Sequence, residues 1–152
     1  MKFLFCLFSM FVFTEGCNDK SSKTEIIKNA QDDITIVYEA SSRGFYQKIQ
    51  LNKKEIIIPK DRNGNVVLTK SCASKDWDEV VALLDKIDSE KLKEATINKE
   101  DIARDAAIPG TLTITYKDNA VTSKTFPHGN PPETLAPLVA KLQAMAKAVE
   151  NQ

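Results

Sequence analysis

Residues 34–51, ITIVYEASSRGFYQKIQL, contain the pattern that decides the fold. The first six are β-branched or aromatic apart from the final glutamate, which is typical of a strand. Residues 41–44, SSRG, include the serines and glycine that favour a turn. From Phe45 to Leu51, mostly apolar side chains alternate with polar ones, which predicts a second strand with one buried face. The stretch therefore predicts an antiparallel hairpin.

A second hairpin is predicted directly after the first. Residues 55–58, EIII, form a short strand, and Pro59 ends it because proline has no N–H to donate to a sheet. Asn63-Gly64 is the strongest turn signal in the chain, since this pair tolerates positive φ at both central positions of a hairpin turn. Residues 66–69, VVLT, are then expected to pair back as a fourth strand.

Two stretches change to the 3.6-residue period of an amphipathic helix. In the first, residues 74–87, the Ser74 hydroxyl is expected to cap the first turn, and acidic residues follow near the positive end of the helix dipole. The second covers residues 135–149, with Pro137 near its start, where a missing N–H has no partner to lose. The apolar stripes are Trp77, Val80, Val81, Leu84 and Ile87 in the first helix, and Leu135, Leu138, Val139, Leu142, Met145 and Val149 in the second.

Two further strands are expected between these helices, at residues 111–116 and 121–126 around a polar loop at 117–120. Residues 89–108 are ambiguous. The whole predicts a single α+β domain over residues 32–152, in the order β-β-β-β-α-β-β-α, with an antiparallel sheet of about six strands packed on one face by two helices. In the ambiguous segment, short helical pieces are suggested by Leu92, Ala95, Ile97 and Ile102.

The N-terminal residues have the pattern of an export signal. Residues 3–13 are an apolar run that follows Lys2 and is too short to span a bilayer as a helix. Residues 14–17, TEGC, resemble the lipobox of bacterial lipoproteins: Gly16 and Cys17 match it and Glu15 departs from it. The resemblance implies a signal peptide at 1–16 that is cleaved after Gly16.

The same resemblance implies a lipid on Cys17 and a protein anchored in the bacterial cell envelope. Residues 17–31 would then be the acylated cysteine and a flexible polar tether. If Cys17 were instead a free thiol in an oxidising compartment, a disulfide with Cys72 would be expected, since Cys6 leaves with the signal.

Composition and motifs argue against several functions. The 21 basic and 21 acidic residues balance, so no general attraction to nucleic acid is expected. His128 is the only histidine, and a metal site of the usual type needs three or four clustered ligands. No nucleophile elbow, phosphate-binding loop or redox cysteine pair is present in the sequence. We therefore expect a non-enzymatic protein with no cofactor and no metal.

The order of motifs resembles that of emfourin, a small protein inhibitor of thermolysin-like metallopeptidases. The likeness covers roughly residues 34–146 and rests on SSRGFYQ at 41–47, the first predicted helix, the hairpin at 110–126 and the proline-led final helix. Residues 43–45, RGF, stand where that family often has Gly-Gly-Phe. The chain departs from the family in the extra strand pair at 55–69 and in its lipoprotein leader.

Two functions follow as expectations. The first is a lipid-anchored, non-catalytic domain that binds an envelope protein partner, and the alternative is an inhibitor whose rigid loop enters a peptidase cleft. Both would use the segments 42–46 and 126–131, which place aromatic residues beside turn residues. In a contrasting interpretation, the two phenylalanines point into the core and the loops only connect strands. The candidate partner-binding residues are Arg43, Gly44, Phe45, Tyr46, Phe126, His128 and Asn130.

Overall fold

A computed structural model describes residues 33–87, Leu92 and residues 107–151. The predicted signal peptide, Cys17 and the tether at 17–31 lie outside the described residues, and so does most of the ambiguous segment at 89–108. Leu92 is helical and buried, in agreement with the expectation for that position. In chain order the elements are β1 (Ile34–Ser42), β2 (Phe45–Asn52), β3 (Glu55–Pro59), β4 (Val67–Ser71), α1 (Ser74–Leu84), β5 (Pro109–Tyr116), β6 (Asn119–Thr122), β7 (Phe126–Pro127) and α2 (Ala136–Glu150).

The strands form one antiparallel sheet in the order β4-β3-β2-β1-β5-β6, and β7 also pairs with β5. β1 lies at the centre between β2 and β5, and its side chains alternate between buried and half-buried as the period of two predicts. The α+β fold class is confirmed. One core joins the buried face of the sheet to both helices. Its largest fully buried side chains are those of Trp77, Tyr38, Phe126, Ile36, Ile49, Leu51, Ile56, Leu92, Leu112, Leu135, Leu138 and Leu142.

The sixth predicted strand, residues 121–126, is not continuous. β6 ends at Thr122 and pairing resumes at Phe126 as the short β7. Ser123 is buried at the break, where its N–H donates to the carbonyl of Leu112 and its Oγ accepts the Leu112 N–H at 3.0 Å. The serine hydroxyl thus takes the place of a strand partner, which a period-two pattern does not reveal.

Two polar turns, the one at Asn63-Gly64 and the one at 117–120, differ from the sequence prediction. Asn63-Gly64 does not form a two-residue hairpin turn; residues 60–66 form a longer loop, closed by a bond from the Lys60 N–H to the carbonyl of Val66. Only Gly64 in that loop has positive φ, at 68°. The loop after β5 is shorter than expected, because Tyr116 already pairs with Asn119.

The helices keep their predicted faces and change at their ends. α1 ends at Leu84, and its first turn is capped without the Ser74 hydroxyl: the N-cap is Ala73, which offers no side-chain oxygen. α2 begins at Ala136 with Pro137 in its first turn, as expected. The capping prediction was wrong because the chain enters α1 one residue earlier than the serine pattern indicates.

Candidate partner-binding site

The two segments selected from the sequence meet at one end of the sheet. Antiparallel pairing brings the β1–β2 turn at 43–44, the loop at 60–66 and the segment 126–130 to this end, which we call the loop end. The rings of Phe45 and His128 lie 4.9 Å apart, so the two segments touch directly.

A partly buried hydrogen bond connects the loop end to the core. The Tyr38 hydroxyl lies 2.6 Å from His128 Nδ1, and it also bonds the side chain of Gln143 on α2. Burial raises the pKa of Tyr38 to about 12 and lowers the pKa of His128, so a neutral phenol faces a neutral imidazole near pH 7. A phenol that donates to Nδ1 leaves the ring proton on Nε2.

Gly110 of β5 makes room for this arrangement. A Cβ atom at Gly110 would lie 3.3 Å from the Tyr38 hydroxyl oxygen and 3.4 Å from a ring carbon of Phe126. The Tyr38 and Phe126 rings stack, with centroids 6.2 Å apart. Phe126 is fully buried, so the interpretation of its ring as an anchor for a partner is corrected: Phe126 belongs to the core. Phe45 is half-buried and packs against the same core.

Arg62 holds the β1–β2 turn from the neighbouring loop. Its guanidinium donates to the carbonyl of Ser42 and, at 3.2 Å, to that of Phe45, the two residues that flank the turn. The guanidinium also lies over the Tyr46 ring, 5.9 Å from its centroid. These contacts restrain both flanks of the β1–β2 turn.

The loop that presents Arg62 is organised by Asp61. The Asp61 carboxylate accepts backbone N–H groups of Val66 at 2.9 Å, Asn63 at 2.8 Å and Asn65 at 3.2 Å. These bonds, led by that from Val66, lower the pKa of Asp61. The loop therefore has a defined conformation although it is exposed.

The segment 126–130 is restrained in a similar way. The His128 N–H donates to the carbonyl of Ile108 at 2.7 Å, and the Asn130 N–H donates to that of Pro127 at 3.0 Å. Gly129, at φ 88°, occupies the third position of this turn, where type II turns require positive φ.

Some of the predicted partner-binding residues are accessible to a partner, and others are partly buried. Arg43, Gly44 and Asn130 are exposed, whereas Tyr46 and His128 are half-buried. The residues that hold the site together were not predicted from the sequence. In the sequence pattern Tyr38 occupies an ordinary core position of a strand, and Arg62 is part of a polar turn. Three residues that were not selected contact these segments, namely Tyr38, Arg62 and Gly110. Two more act through them: Asp61 organises the loop of Arg62, and Gln143 bonds Tyr38.

Two observations on the described residues concern metal binding and nucleophilic chemistry. Within residues 33–87 and 107–151, no three side chains of the metal-binding types cluster closely enough to hold an ion. The free thiol of Cys72 is half-buried, and burial, with the nearby Asp76 carboxylate, raises its pKa, which disfavours the nucleophilic thiolate.

Comparisons with models of known protein families, with curated proteins and with solved structures found no match to this chain. No helix in the described part of the chain has the length and apolar content that a membrane crossing requires.

Proposed function

We propose that the chain is a lipid-anchored protein of the bacterial cell envelope whose domain binds a protein partner through its loop end, without catalysis. The observation that carries this proposal is that three separate segments are fixed to one another at one end of the sheet. Arg62 forms hydrogen bonds to both flanks of the β1–β2 turn, and the Tyr38–His128 bond fixes the segment 126–130. Rigid loops on a sheet scaffold are a common form of binding surface, because little ordering entropy is lost when they bind.

The position of β1 supports an orientation in which the loop end faces away from the membrane. β1 begins at Ile34, at the end of the sheet opposite the loop end. If Cys17 carries the lipid, the 15 residues from 18 to 32 can span on the order of 50 Å when extended. The chain would then enter the domain from the membrane side, and the loop end would face away from the bilayer towards a partner.

The chemistry of the loop end supports binding over catalysis. Nδ1 of His128, the one histidine, is already occupied by the Tyr38 hydroxyl. A general base needs a free nitrogen within reach of a substrate and a suitable acid or nucleophile beside it. The exposed groups, Arg43 and Asn130, are instead suited to hydrogen bonds with a protein surface.

Inhibition of a thermolysin-like peptidase is the second candidate function. The observation that favours it is the pair of hydrogen bonds from Arg62 to the flanks of the β1–β2 turn. An inhibitory loop resists cleavage when its scaffold holds it in place, and the exposed Arg43-Gly44 turn is held at both flanks. The assay is a titration of a thermolysin-like enzyme with the full chain. Loss of activity at micromolar protein or below supports inhibition, and an Arg62→Ala variant should then inhibit less. An unchanged rate rejects this candidate.

The binding function is tested by affinity purification of the anchored protein from solubilised envelopes after chemical cross-linking. We expect one partner to be recovered with the natural chain and lost with Arg43→Glu combined with Asn130→Ala. The matched control is Asp118→Ala, an exposed turn residue at the opposite end of the sheet. Equal recovery with all three chains would contradict binding through the loop end.

The anchor needs its own test, because binding and anchoring can fail separately. Metabolic labelling with a radioactive fatty acid should label the natural chain and not Cys17→Ser, and only the natural chain should stay in the membrane fraction. A Cys17→Ser variant that is still labelled would contradict the lipid anchor and leave the binding proposal standing.

A further inference from the structure

A second surface lies at the edge of the sheet, where β4 pairs only with β3 among the described strands. Backbone bonds connect Lys60 to Val66 and Cys72 to Lys54, at the two ends of this pairing. Since hydrogen-bonded pairs alternate along an antiparallel ladder, every second residue of β4 turns its N–H and C=O away from β3. The outward-facing groups belong to Val67, Thr69 and Ser71.

The start of this edge is apolar, whereas Thr69, Lys70 and Ser71 further along it are polar and exposed. Val66 and Val67 are the large hydrophobic residues that stand out as exposed in the described chain, at 55% and 44%. Exposed edge strands are ordinarily protected by charges, prolines or a covering element, because they are templates for another strand. No described element pairs with β4 on its outer side.

A cleft of about 320 Å³ opens beside the same strand, between its C-terminal end and α2. One side of its rim is fixed by Lys141, which bonds Asp76 at 2.8 Å and Glu79 at 2.5 Å. These bonds, led by that from Asp76, raise the pKa of Lys141, so its charge is retained. The rest of the lining is largely apolar and includes Ile56, Cys72, Ala144, Met145 and Val149.

Lys70 connects the edge to the cleft. It pairs with the buried Ile56, so its side chain lies on the helix side of the sheet, and it lines the cleft. Among the described residues Lys70 has no acidic partner, whereas Lys141 has two. A strand placed beside β4 would direct alternate side chains to this side, next to Lys70 and above the cleft.

We propose that β4 and the cleft bind an extended segment of a partner protein by strand addition. The segment forms main-chain hydrogen bonds with Val67, Thr69 and Ser71, places an apolar side chain in the cleft and an acidic side chain beside Lys70. In this mode of recognition the main chain supplies affinity and the alternate side chains supply specificity. The proposal does not depend on the binding function of the loop end.

The test is selection from a displayed library of random decapeptides on the full chain, purified in mild detergent. We expect enriched peptides that alternate apolar with polar residues and carry one acidic residue. Thr69→Pro removes an outward N–H without removing a bond to β3, and should weaken binding of the enriched peptides by at least about tenfold. The matched control, Thr69→Val, keeps the N–H and should bind as the natural chain does.

Lys70→Glu gives an independent result that does not depend on backbone changes. Selection on this variant should replace the acidic residue of the peptides by lysine or arginine. The proposal is overturned by a selection that enriches nothing, by peptides that bind Thr69→Pro and the natural chain equally, or by sedimentation showing that β4 is occupied by a second copy of the chain. An unchanged charge preference on Lys70→Glu would likewise overturn it.

Discussion

The loop end and the β4 edge differ in how their polar groups are satisfied. At the loop end, backbone carbonyls and side chains bond one another: Arg62 covers two carbonyls of the β1–β2 turn, and Tyr38 links His128 to the core. At β4, three outward positions of the strand face no described partner, and a cleft lies open next to them. A closed arrangement can offer a partner a rigid surface, whereas an open edge can accept a strand.

The difference also predicts where substitutions affect stability. Side chains of the loop end reach into the core, so changes there should lower the free energy of unfolding. Exposed side chains of β4 contact little, so changes there should affect binding alone. Chemical denaturation of the full chain in detergent measures both kinds of effect.

Phe126→Ala should have the largest effect. Removal of a fully buried phenylalanine leaves a cavity and is expected to lower the free energy of unfolding by about 3–5 kcal/mol. Phe45→Ala is the matched control, because the Phe45 side chain is only half-buried. This substitution should lower the free energy of unfolding by clearly less. Equal and small losses would show that Phe126 is not part of the core.

Gly110→Ala should come next. The added methyl group would lie 3.3 Å from the Tyr38 oxygen and 3.4 Å from the Phe126 ring, and such overpacking costs about 1–3 kcal/mol. Gly44→Ala is the control, since nothing lies within 4 Å of a Cβ at Gly44. A Gly110→Ala chain as stable as the natural one would mean that the two rings are not packed on β5.

Tyr38→Phe removes one oxygen and leaves the ring in place. His128 Nδ1 and Gln143 then lose a hydrogen-bond partner, which should lower the free energy of unfolding by about 1–2 kcal/mol. If the phenol donates to Nδ1 of the neutral ring, removing it should raise the pKa of His128, which is followed by NMR titration. A fall in that pKa would contradict the proposed direction of the bond.

The pH dependence of stability offers a smaller effect. Burial lowers the pKa of His128 in the folded chain below its usual 6.5. Above pH 6.5 the ring is neutral in both states, and as the pH falls below 6.5 the unfolded chain binds the proton first. The stability of the natural chain relative to His128→Gln should therefore fall between pH 7 and pH 5. A relative rise over this range would contradict a lowered pKa.

Val67→Thr should have the smallest effect on stability, within about 0.5 kcal/mol, because the side chain is 44% exposed. The same denaturation curves provide the measurement. A loss comparable to that of Gly110→Ala would show that β4 is covered and that the contrast between the two regions does not hold.

The strands and helices follow from residue type and period, whereas the connections do not. β1, β2 and both helical faces were predictable because each buries one side of a regular pattern. The break at Ser123 was not, since a hydroxyl that replaces a strand partner leaves no periodic signal. The Asn63-Gly64 turn was mispredicted because Asp61, two residues earlier, binds the backbone of a longer loop.

The candidate site was predictable only in part. Turn and aromatic residues located the two segments, but their contact depends on strand order. That order brings Phe45 and His128, which are 83 positions apart in the chain, to one end of the sheet. The exposure of a single aromatic side chain could not be read from the sequence either: Phe126 is buried and Phe45 half-buried.

Site-specific photo-cross-linking in cells that make the protein tests whether the loop end of the anchored domain binds a protein partner. A photoreactive phenylalanine is introduced in place of Arg43, of Asn130 or, as the control, of Asp118 at the opposite end of the sheet. We expect the same cross-linked partner from Arg43 and Asn130 and none from Asp118. No adduct at the two loop-end positions, or an equal adduct at all three, would contradict it.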